Sequence, residues 1–239
     1  MSDKMKTDEL TRAREHVDTA SLAIPEEELC SRFEQLYTGA VNDVLREMSL
    51  PFQALPPSIA PLREEMVVCG PAFTVKAVRD PTLSGELQTR VDMLDQLTPG
   101  GVVIWNANGE DRASHWGGVM TRASLKRGCR GAIIDGGIRD TRDILAQEFP
   151  VWYRYRTSTG ALSNTKIVAY QVPIYVGDVI VKPGDLLLAD IDGALVIPRS
   201  IAVEVLERAE AVERNEGEIK EWVDAGLSGQ DIHDRGGYF

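Results

Sequence analysis

Cysteine, long apolar runs and basic residues are all scarce in this sequence. Only three cysteines occur, Cys30, Cys69 and Cys129, and no two of them are spaced as CxxC. Neither a disulfide framework nor a cysteine zinc site is indicated, so we expect reduced thiols that pack in the core. Because no run of about 18 apolar residues is present, the sequence predicts no membrane-spanning helix.

The charge balance is acidic, with 26 Lys and Arg against 37 Asp and Glu and a net charge of −11. Nucleic-acid surfaces depend on clustered cations that displace counterions, so we expect no nucleic-acid partner. Residues 1–20 alternate acids and bases and lack the apolar stretch of a signal peptide. These features predict a cytoplasmic protein without a membrane partner.

Several familiar enzyme signatures are also missing. The sequence contains no GxGxxG after a strand, no Walker A motif, no GxSxG and no HExxH. Their absence argues against nicotinamide dehydrogenases, P-loop kinases, α/β-hydrolases and Rossmann-type methyltransferases. The segment 190–193 (DIDG) is like the start of a calcium loop, but no Glu follows at the required spacing, which favours a hairpin turn.

The hydrophobic pattern indicates a polar arm over residues 1–24, followed by one α/β domain over residues 25–239 with a C-terminal helical extension. Two consecutive helices are predicted between Glu26 and Met48, and a proline-rich loop over residues 50–62. Strands are predicted at 66–70 and 72–78, separated by Gly70-Pro71. Later strands, a helix over 116–127, several hairpins and a closing helix over 201–225 complete the pattern.

The segment 133–140 (IIDGGIRD) carries the clearest chemical signal. A buried strand is predicted to stop at Gly136 and Gly137, where a ligand could approach the backbone closely. Arg139 offers a planar fork that matches a carboxylate, and Asp140 offers a hard oxygen ligand for Mg²⁺ or Mn²⁺. Spacing alone favours the alternative, a hairpin or loop in which this Arg and Asp form a surface ion pair.

The segment 116–120 (WGGVM) is a second candidate, since it begins a predicted helix. Free N–H groups and the positive end of the helix dipole attract anions, although every helix has such an end. His115 precedes this segment and has a side chain that titrates near neutral pH. A lone histidine is nevertheless more often structural than catalytic.

The order of these elements resembles the 4-hydroxy-4-methyl-2-oxoglutarate aldolase and RraA-like family, whose members were once misnamed demethylmenaquinone methyltransferases. The resemblance covers roughly residues 30–225 and rests on ordered segments besides 133–140. These are 38–45 (TGAVNDVL), 70–75 (GPAFTV), 149–152 (FPVW), 181–185 (VKPGD) and 190–193 (DIDG). It implies a swivelling β/β/α domain with N-terminal and C-terminal helices, assembled as homotrimers or homohexamers with active sites between subunits.

The resemblance also implies class II aldolase chemistry on a small 2-oxo acid, with Mg²⁺ or Mn²⁺ as the cofactor. By this resemblance Arg139 binds the carboxylate of a pyruvate moiety and Asp140 holds the metal. The backbone of Gly117, Gly118, Val119 and Met120 would help to bind that carboxylate. Glu216 resembles a catalytic acid contributed by a neighbouring subunit.

One position departs from the family pattern. Catalytic members carry Asp or Glu where this chain has Gly118, and glycine cannot replace an acid that assists proton transfer. Asp111, Glu110 or His115, in the preceding loop, could compensate. Whether the change abolishes aldolase activity or alters it is left open by the sequence.

The resemblance supports three functional hypotheses. The first is a metal-dependent lyase that performs retro-aldol cleavage of 4-hydroxy-2-oxo acids, oxaloacetate decarboxylation, or both, since each passes through pyruvate enolate. The second is a non-catalytic regulator, like the RraA proteins that inhibit ribonuclease E. Those proteins characteristically lose the metal-binding Asp, whereas Asp140 is present here. The third is a divergent enzyme on the same scaffold, which Gly118 would explain.

Overall fold

A computed structural model of the chain describes residue 8, residues 21–82 and residues 84–238. The predicted polar arm of residues 1–24 therefore lies mostly outside the described residues. The boundary between that arm and the predicted domain stays a prediction.

Among the described helices, two precede the strands in sequence, three alternate with them and two follow them. The two helices predicted near the N-terminus are confirmed, because the chain turns between Phe33 and Thr38. Within the described part of the chain, no helix combines the length and the apolar composition needed to cross a membrane. The helices are α1 (Glu26–Phe33), α2 (Thr38–Glu47), α3 (Glu86–Asp95), α4 (Gly118–Lys126), α5 (Thr141–Ala146), α6 (Ala202–Asp224) and α7 (Gly229–Asp234), with a 3₁₀ turn at Arg199–Ile201.

In the described residues, nine strands form the main sheet and two more form a separate hairpin. They are β1 (Ala60–Pro61), β2 (Val68–Arg79), β3 (Val102–Asn106), β4 (Ser114–Trp116), β5 (Gly131–Ile138), β6 (Val151–Arg156), β7 (Thr165–Tyr170), β8 (Ile174–Val176), β9 (Val179–Val181), β10 (Leu186–Ala189) and β11 (Ala194–Ile197). The sheet order is β1-β6-β5-β3-β2-β10-β11, with β4 beside β5 and β7 beside β2. The hairpin pairs β8 with β9.

The centre of the sheet is parallel and its two sides are antiparallel. Strands β2, β3, β5 and β6 run parallel to one another, whereas β10, β11, β7 and β1 pair antiparallel. Every residue of β3 and β5 is buried, as expected for parallel strands that are covered on both faces. The carboxyl ends of these strands meet at one edge, where ligands usually bind in such sheets.

Helices α1, α2 and α6 cover the β10–β11 side of the sheet. Leu29 and Phe33 on α1, and Val41 and Leu45 on α2, recur every four residues and are fully buried. They pack with Val205 and other apolar residues of α6. Burial of these apolar side chains accounts for their helical spacing in the sequence.

Strand β2 corrects one expectation, because Gly70 and Pro71 do not divide it. Ala72 donates its N–H to Asp185 O at 2.7 Å and accepts from Gly184 N at 3.0 Å, so its polar groups face the β10 side. Pro71 therefore faces the β3 side, where pairing begins only at Ala72 with Val102. Its missing N–H thus costs no ladder hydrogen bond.

Strand β5 corrects a second expectation, because it continues through Gly136 and Gly137 to Ile138. A Cβ on Gly136 would lie 2.8 Å from His115 Cδ2 and 2.9 Å from Ala107 Cβ. A Cβ on Gly137 would lie 2.7 Å from Ala113 O. These glycines admit neighbouring protein groups rather than a ligand.

The turn between β10 and β11 is a hairpin, as predicted, and it also anchors α2. The buried Asp190 carboxylate accepts hydrogen bonds at 2.8 Å from both the N–H and the hydroxyl of Thr38. Trp152 Nε1 donates to Asp190 O at 2.7 Å. Asp190 therefore connects the start of α2, the β10–β11 turn and strand β6.

Asp190→Ala should lower the free energy of unfolding by about 3 kcal/mol, since it leaves buried donors of Thr38 without a charged acceptor. Urea unfolding followed by circular dichroism measures this change. Asp192→Ala, in the same turn but exposed, should alter stability by less than about 0.5 kcal/mol. Equal losses in the two variants would contradict the anchoring role of Asp190.

Candidate functional site

The candidate site lies where β4 and β5 end side by side. Trp116 pairs with Ile138 in parallel register, and Arg139 N donates to Trp116 O at 3.0 Å. Beyond this contact β4 turns into α4, while β5 turns through Arg139 and Asp140 into α5. The first turns of the two helices are therefore brought together.

Asp140 sits at a tight backbone turn before α5. Its φ is 56°, a left-handed conformation that Asp and Asn tolerate better than most residues. Its Oδ2 accepts a hydrogen bond from Gly118 N at 3.3 Å and lies 3.6 Å from Arg139 Nε. The side chains of Arg139 and Asp140 are 48% and 47% exposed, so both remain accessible to a ligand.

Three glycines leave room for three charged side chains at this site. A Cβ on Gly117 would lie 2.6 Å from Asp140 Oδ2, and one on Gly160 would lie 2.8 Å from Arg139 Nη1. A Cβ on Gly118 would overlap the carboxylate of Asp143, which stands in the first turn of α5. The glycines therefore let Arg139, Asp140 and Asp143 approach the backbone closely.

A cavity of about 220 Å³ opens beside this cluster. The first turn of α4 borders it, and helices leave the N–H groups of their first turn without intrahelical acceptors. Those of Val119 and Met120 are therefore available to an anion. The lining residues include Leu87, Arg90, His115, Gly117, Val119, Met120, Arg139, Asp140 and Leu162.

A second guanidinium, that of Arg90, forms part of the opposite wall. Arg90 Nε donates to the fully buried Glu86 at 3.1 Å, and Arg90 Nη1 lies 3.2 Å from Met120 Sδ. Its guanidinium carbon also lies 5.5 Å from the centre of the Trp105 ring, a cation–π contact. These contacts hold Arg90 in a fixed position within the cavity wall.

Glu110, His115 and Tyr155 form a largely buried polar cluster next to the site. Glu110 accepts hydrogen bonds from the N–H groups of Arg112 and Ala113, both at 2.9 Å, and lies 3.3 Å from His115 Nε2. Tyr155 donates to Ala113 O at 3.0 Å. The loop before β4 is thereby tied to β6.

Burial decides the charge of this cluster. Burial lowers the pKa of His115 to about 4, although the neighbouring Glu110 opposes the shift. Burial also opposes ionisation of Glu110, but the two backbone hydrogen bonds and His115 outweigh it and lower the pKa of that carboxyl. At neutral pH the cluster therefore holds a neutral imidazole and a carboxylate.

The structure brings together most of the predicted site residues. Arg139, Asp140, Gly117, Val119 and Met120 line one cavity. Gly118, the other residue of segment 117–120, contacts it only through its N–H bond to Asp140. Glu216 lies elsewhere in the chain, on α6, where its carboxylate accepts from the Tyr37 hydroxyl and lies 3.6 Å from Lys220 Nζ. Its predicted role from a neighbouring subunit stays a prediction.

None of the three predicted substitutes for an acid at position 118 occupies that place. Glu110 and His115 are buried and engaged with each other, while Asp111 is exposed. The carboxylate against Gly118 belongs instead to Asp143, which the sequence analysis did not identify. Its position three residues after Asp140 was a usable signal, because side chains three apart lie on one helix face.

The donor set suits a hard divalent cation held by few protein ligands. In the described parts of the chain, no group of three or more His, Cys, Asp or Glu is arranged around one metal position. Mg²⁺, however, keeps several waters and is commonly bound by one or two carboxylates. Asp140, with Asp143 beside Gly118, offers such a set next to the Arg139 guanidinium.

Comparison with protein families gives a match to the RraA-like model, Aldolase/RraA, over residues 38–196. A curated relative from Halalkalibacterium halodurans is provisionally named 4-hydroxy-4-methyl-2-oxoglutarate aldolase. It is 32% identical over 179 residues, which are 75% of this chain and 80% of that protein. The chain spans only 28% of the length of another relative, protein DlpA of Legionella pneumophila.

Solved structures confirm the expected α/β fold. RraAS2 of Streptomyces coelicolor, described as an unusual member of the RNase ES inhibitor RraA family, superposes with a TM-score of 0.75 and 28% identity, covering 83% of this chain and 99% of that one. A structure described as one of novel cellulases from microbes associated with the gut ecosystem has a TM-score of 0.86 and 48% identity. It covers 90% of this chain and 96% of that one.

His115 should make stability depend on pH. Its folded pKa of about 4 lies below the unfolded value of 6.5, so the unfolded chain binds the proton first and stability is lost as pH falls below 6.5. Between pH 6.5 and pH 5, His115→Gln should reduce the slope of unfolding free energy against pH by roughly 1 kcal/mol per unit. This window lies above the range in which Glu110 titrates.

Urea unfolding at a series of pH values measures that slope. His233→Gln serves as the matched control, because the His233 side chain is 77% exposed. An unchanged slope in His115→Gln, or an equal change in His233→Gln, would contradict a neutral buried His115.

Proposed function

Since this chain belongs to the RraA-like family (Aldolase/RraA), we propose that it is a divalent-metal-dependent lyase that acts on a small 2-oxo acid. The proposed reactions are retro-aldol cleavage of a 4-hydroxy-2-oxo acid and decarboxylation of an oxaloacetate-like acid. One observation carries the proposal: Arg139, Asp140 and the first turn of α4 converge on a single cavity. Relatives named as aldolases support the reaction class.

The substrate carboxylate is assigned to Arg139 and the N–H groups of Val119 and Met120. A guanidinium binds a carboxylate through two parallel hydrogen bonds, and the start of α4 adds further donors. The cavity of about 220 Å³ suits an acid of a few carbons better than an oligosaccharide. Arg90, which is held in the cavity wall by its ion pair with Glu86, adds N–H donors for an anionic substrate.

Asp140 is the residue assigned to hold the metal. Bound Mg²⁺ or Mn²⁺ supplies a Lewis acid that polarises the 2-oxo group. Asp140 is well placed for this role because its carboxylate is half-exposed and is oriented by Gly118 N–H. In retro-aldol cleavage the C4 hydroxyl loses its proton and becomes the carbonyl of the released fragment, while the C3–C4 electron pair stays on the 2-oxo acid as its enolate. A carboxylate of the site would accept the hydroxyl proton.

A non-catalytic regulator is the second candidate function, because the description of RraAS2 places it among RNase ES inhibitors. The open cavity with Asp140 and Arg139 favours the enzyme, since a protein-binding surface requires neither. A divergent enzyme on the same scaffold shares the cavity but turns over a different acid. Activity assays separate these possibilities.

We also propose that the chain assembles as a trimer or a hexamer with the cavity at a subunit interface. Apolar side chains at its rim are unusually exposed, with Val119 at 81% and Leu87 at 60%. Exposed apolar residues grouped in this way often mark an interaction surface. A neighbouring subunit would cover them and bring its Glu216 towards the cavity.

Asp140→Asn should reduce metal-dependent release of pyruvate by roughly 100-fold or more, because the metal loses its charged ligand. Asparagine tolerates the left-handed backbone at this position, so the fold should be retained. Pyruvate is measured from oxaloacetate and from a 4-hydroxy-2-oxo acid, with and without EDTA. The exposed turn variant Asp178→Asn should behave like wild type, and full activity of Asp140→Asn at limiting metal would contradict the assignment.

Arg139→Lys should raise KM for the 2-oxo acid by about 10-fold or more, since lysine cannot reproduce the bidentate contact. Steady-state kinetics at saturating Mg²⁺ measure the change. Arg122→Lys, an exposed replacement on α4, controls for loss of a guanidinium elsewhere. An unchanged KM for Arg139→Lys would contradict binding of the substrate carboxylate by Arg139.

A further inference from the structure

The carboxylates of Asp140 and Asp143 both lie against one glycine, Gly118, at the start of α4. Asp140 Oδ2 accepts the N–H of Gly118 at 3.3 Å, and the Asp143 carboxylate fills the space that a Cβ of Gly118 would need. The preceding Gly117 is equally constrained, because its Cβ would lie 2.6 Å from Asp140 Oδ2. Two successive glycines at the start of α4 therefore make room for two acids at the start of α5.

The position of Asp143 is set by contacts on both sides. Asp143 N donates to Asp140 O at 2.9 Å, which forms the first turn of α5. Gln147 Nε2 donates to Gly118 O at 3.1 Å, which holds that helix against the start of α4. The Asp143 carboxylate is therefore presented to Gly118 by the packing of the two helices.

Protein groups do not fully balance the negative charges of Asp140 and Asp143. Arg139 lies 3.6 Å from Asp140, but across the described ranges no hydrogen bond or ion pair engages the Asp143 carboxylate. Two carboxylates beside one backbone position, with a single guanidinium near them, leave negative charge that a cation would compensate. A divalent cation that keeps most of its waters satisfies such a pair.

From this geometry we propose that Asp143 is the second carboxylate of the Asp140 cation site and positions the cation there. The inference rests on the proposed metal-dependent function. It assigns to α5 a group that occupies the space beside residue 118, so the glycine at that position is a requirement of the site rather than a loss. Asp143 acts through the cation and its water shell, as a positioning residue.

Mn²⁺ binding to the full chain tests the proposal without an activity assay. Free Mn²⁺ is measured by electron paramagnetic resonance during titration of wild type, Asp140→Asn and Asp143→Asn. Residues that support a metal from its outer shell typically contribute about 10–100-fold in affinity. Asp143→Asn should weaken Mn²⁺ binding by about that factor, whereas Glu148→Gln, an exposed acid after the same helix, should bind like wild type.

A positional swap provides a second readout. Gly118→Asp alone should weaken Mn²⁺ binding, because its Cβ overlaps the Asp143 carboxylate. Combined with Asp143→Ala it should recover most of the affinity, since one carboxylate then occupies the shared space from the other helix. The remaining Cβ of residue 143 would be 3.1 Å away, so only a small backbone shift is required.

The outcomes separate this inference from the function on which it rests. Normal Mn²⁺ affinity in Asp143→Asn, with a loss in Asp140→Asn, would overturn the role of Asp143 and leave the proposed function standing. Absence of Mn²⁺ binding by wild type would overturn both. In the swap, a double variant weaker than either single variant would show that positions 118 and 143 do not share one carboxylate site.

Discussion

The parallel contact between the ends of β4 and β5 determines the geometry of the candidate site. Because Trp116 is in register with Ile138 and accepts the N–H of Arg139, the two chain segments leave the sheet at the same level. One continues into the N-terminus of α4 and the other into the acids of α5. A shift of one residue would turn the side chains of one strand to the opposite face and separate Asp140 from Gly118.

The polar cluster of Glu110, His115 and Tyr155 helps to maintain the contact between the ends of β4 and β5. Glu110, His115 and Tyr155 are linked through hydrogen bonds that join the loop before β4 to β6. These hydrogen bonds fix the loop relative to the strand, while His115 Nδ1, which is also buried, has no hydrogen-bond partner among the described residues. Burial lowers the pKa of His115 to about 4, so its imidazole is neutral at physiological pH, and its Nε2 is engaged with Glu110.

Local patterns in the sequence predicted much of the fold and only part of the site. The periodic apolar residues of α1 and α2 and the apolar run of β3 were sufficient to predict these elements. Their side chains are buried in the structure, and burial alone accounts for the pattern. The predicted end of β5 at Gly136 and Gly137 was wrong. These glycines make room for His115 and for the backbone of Ala113, and such contacts form only in the folded chain. Arg139 and Asp140 were found because they are adjacent, whereas the contact of Asp143 with Gly118 crosses 25 residues of sequence.

The packing at Gly118 bears on how divergent relatives of this chain are compared. A functional group that moves from one helix to its neighbour keeps its location in space but leaves its column in a sequence alignment. A motif defined by spacing alone would record only the glycine, although the Asp143 carboxylate stands where a Cβ of Gly118 would lie. The informative unit is a pair of positions, a glycine on one helix and an acid on the next, and homologues are best sorted by which member of the pair carries the charge.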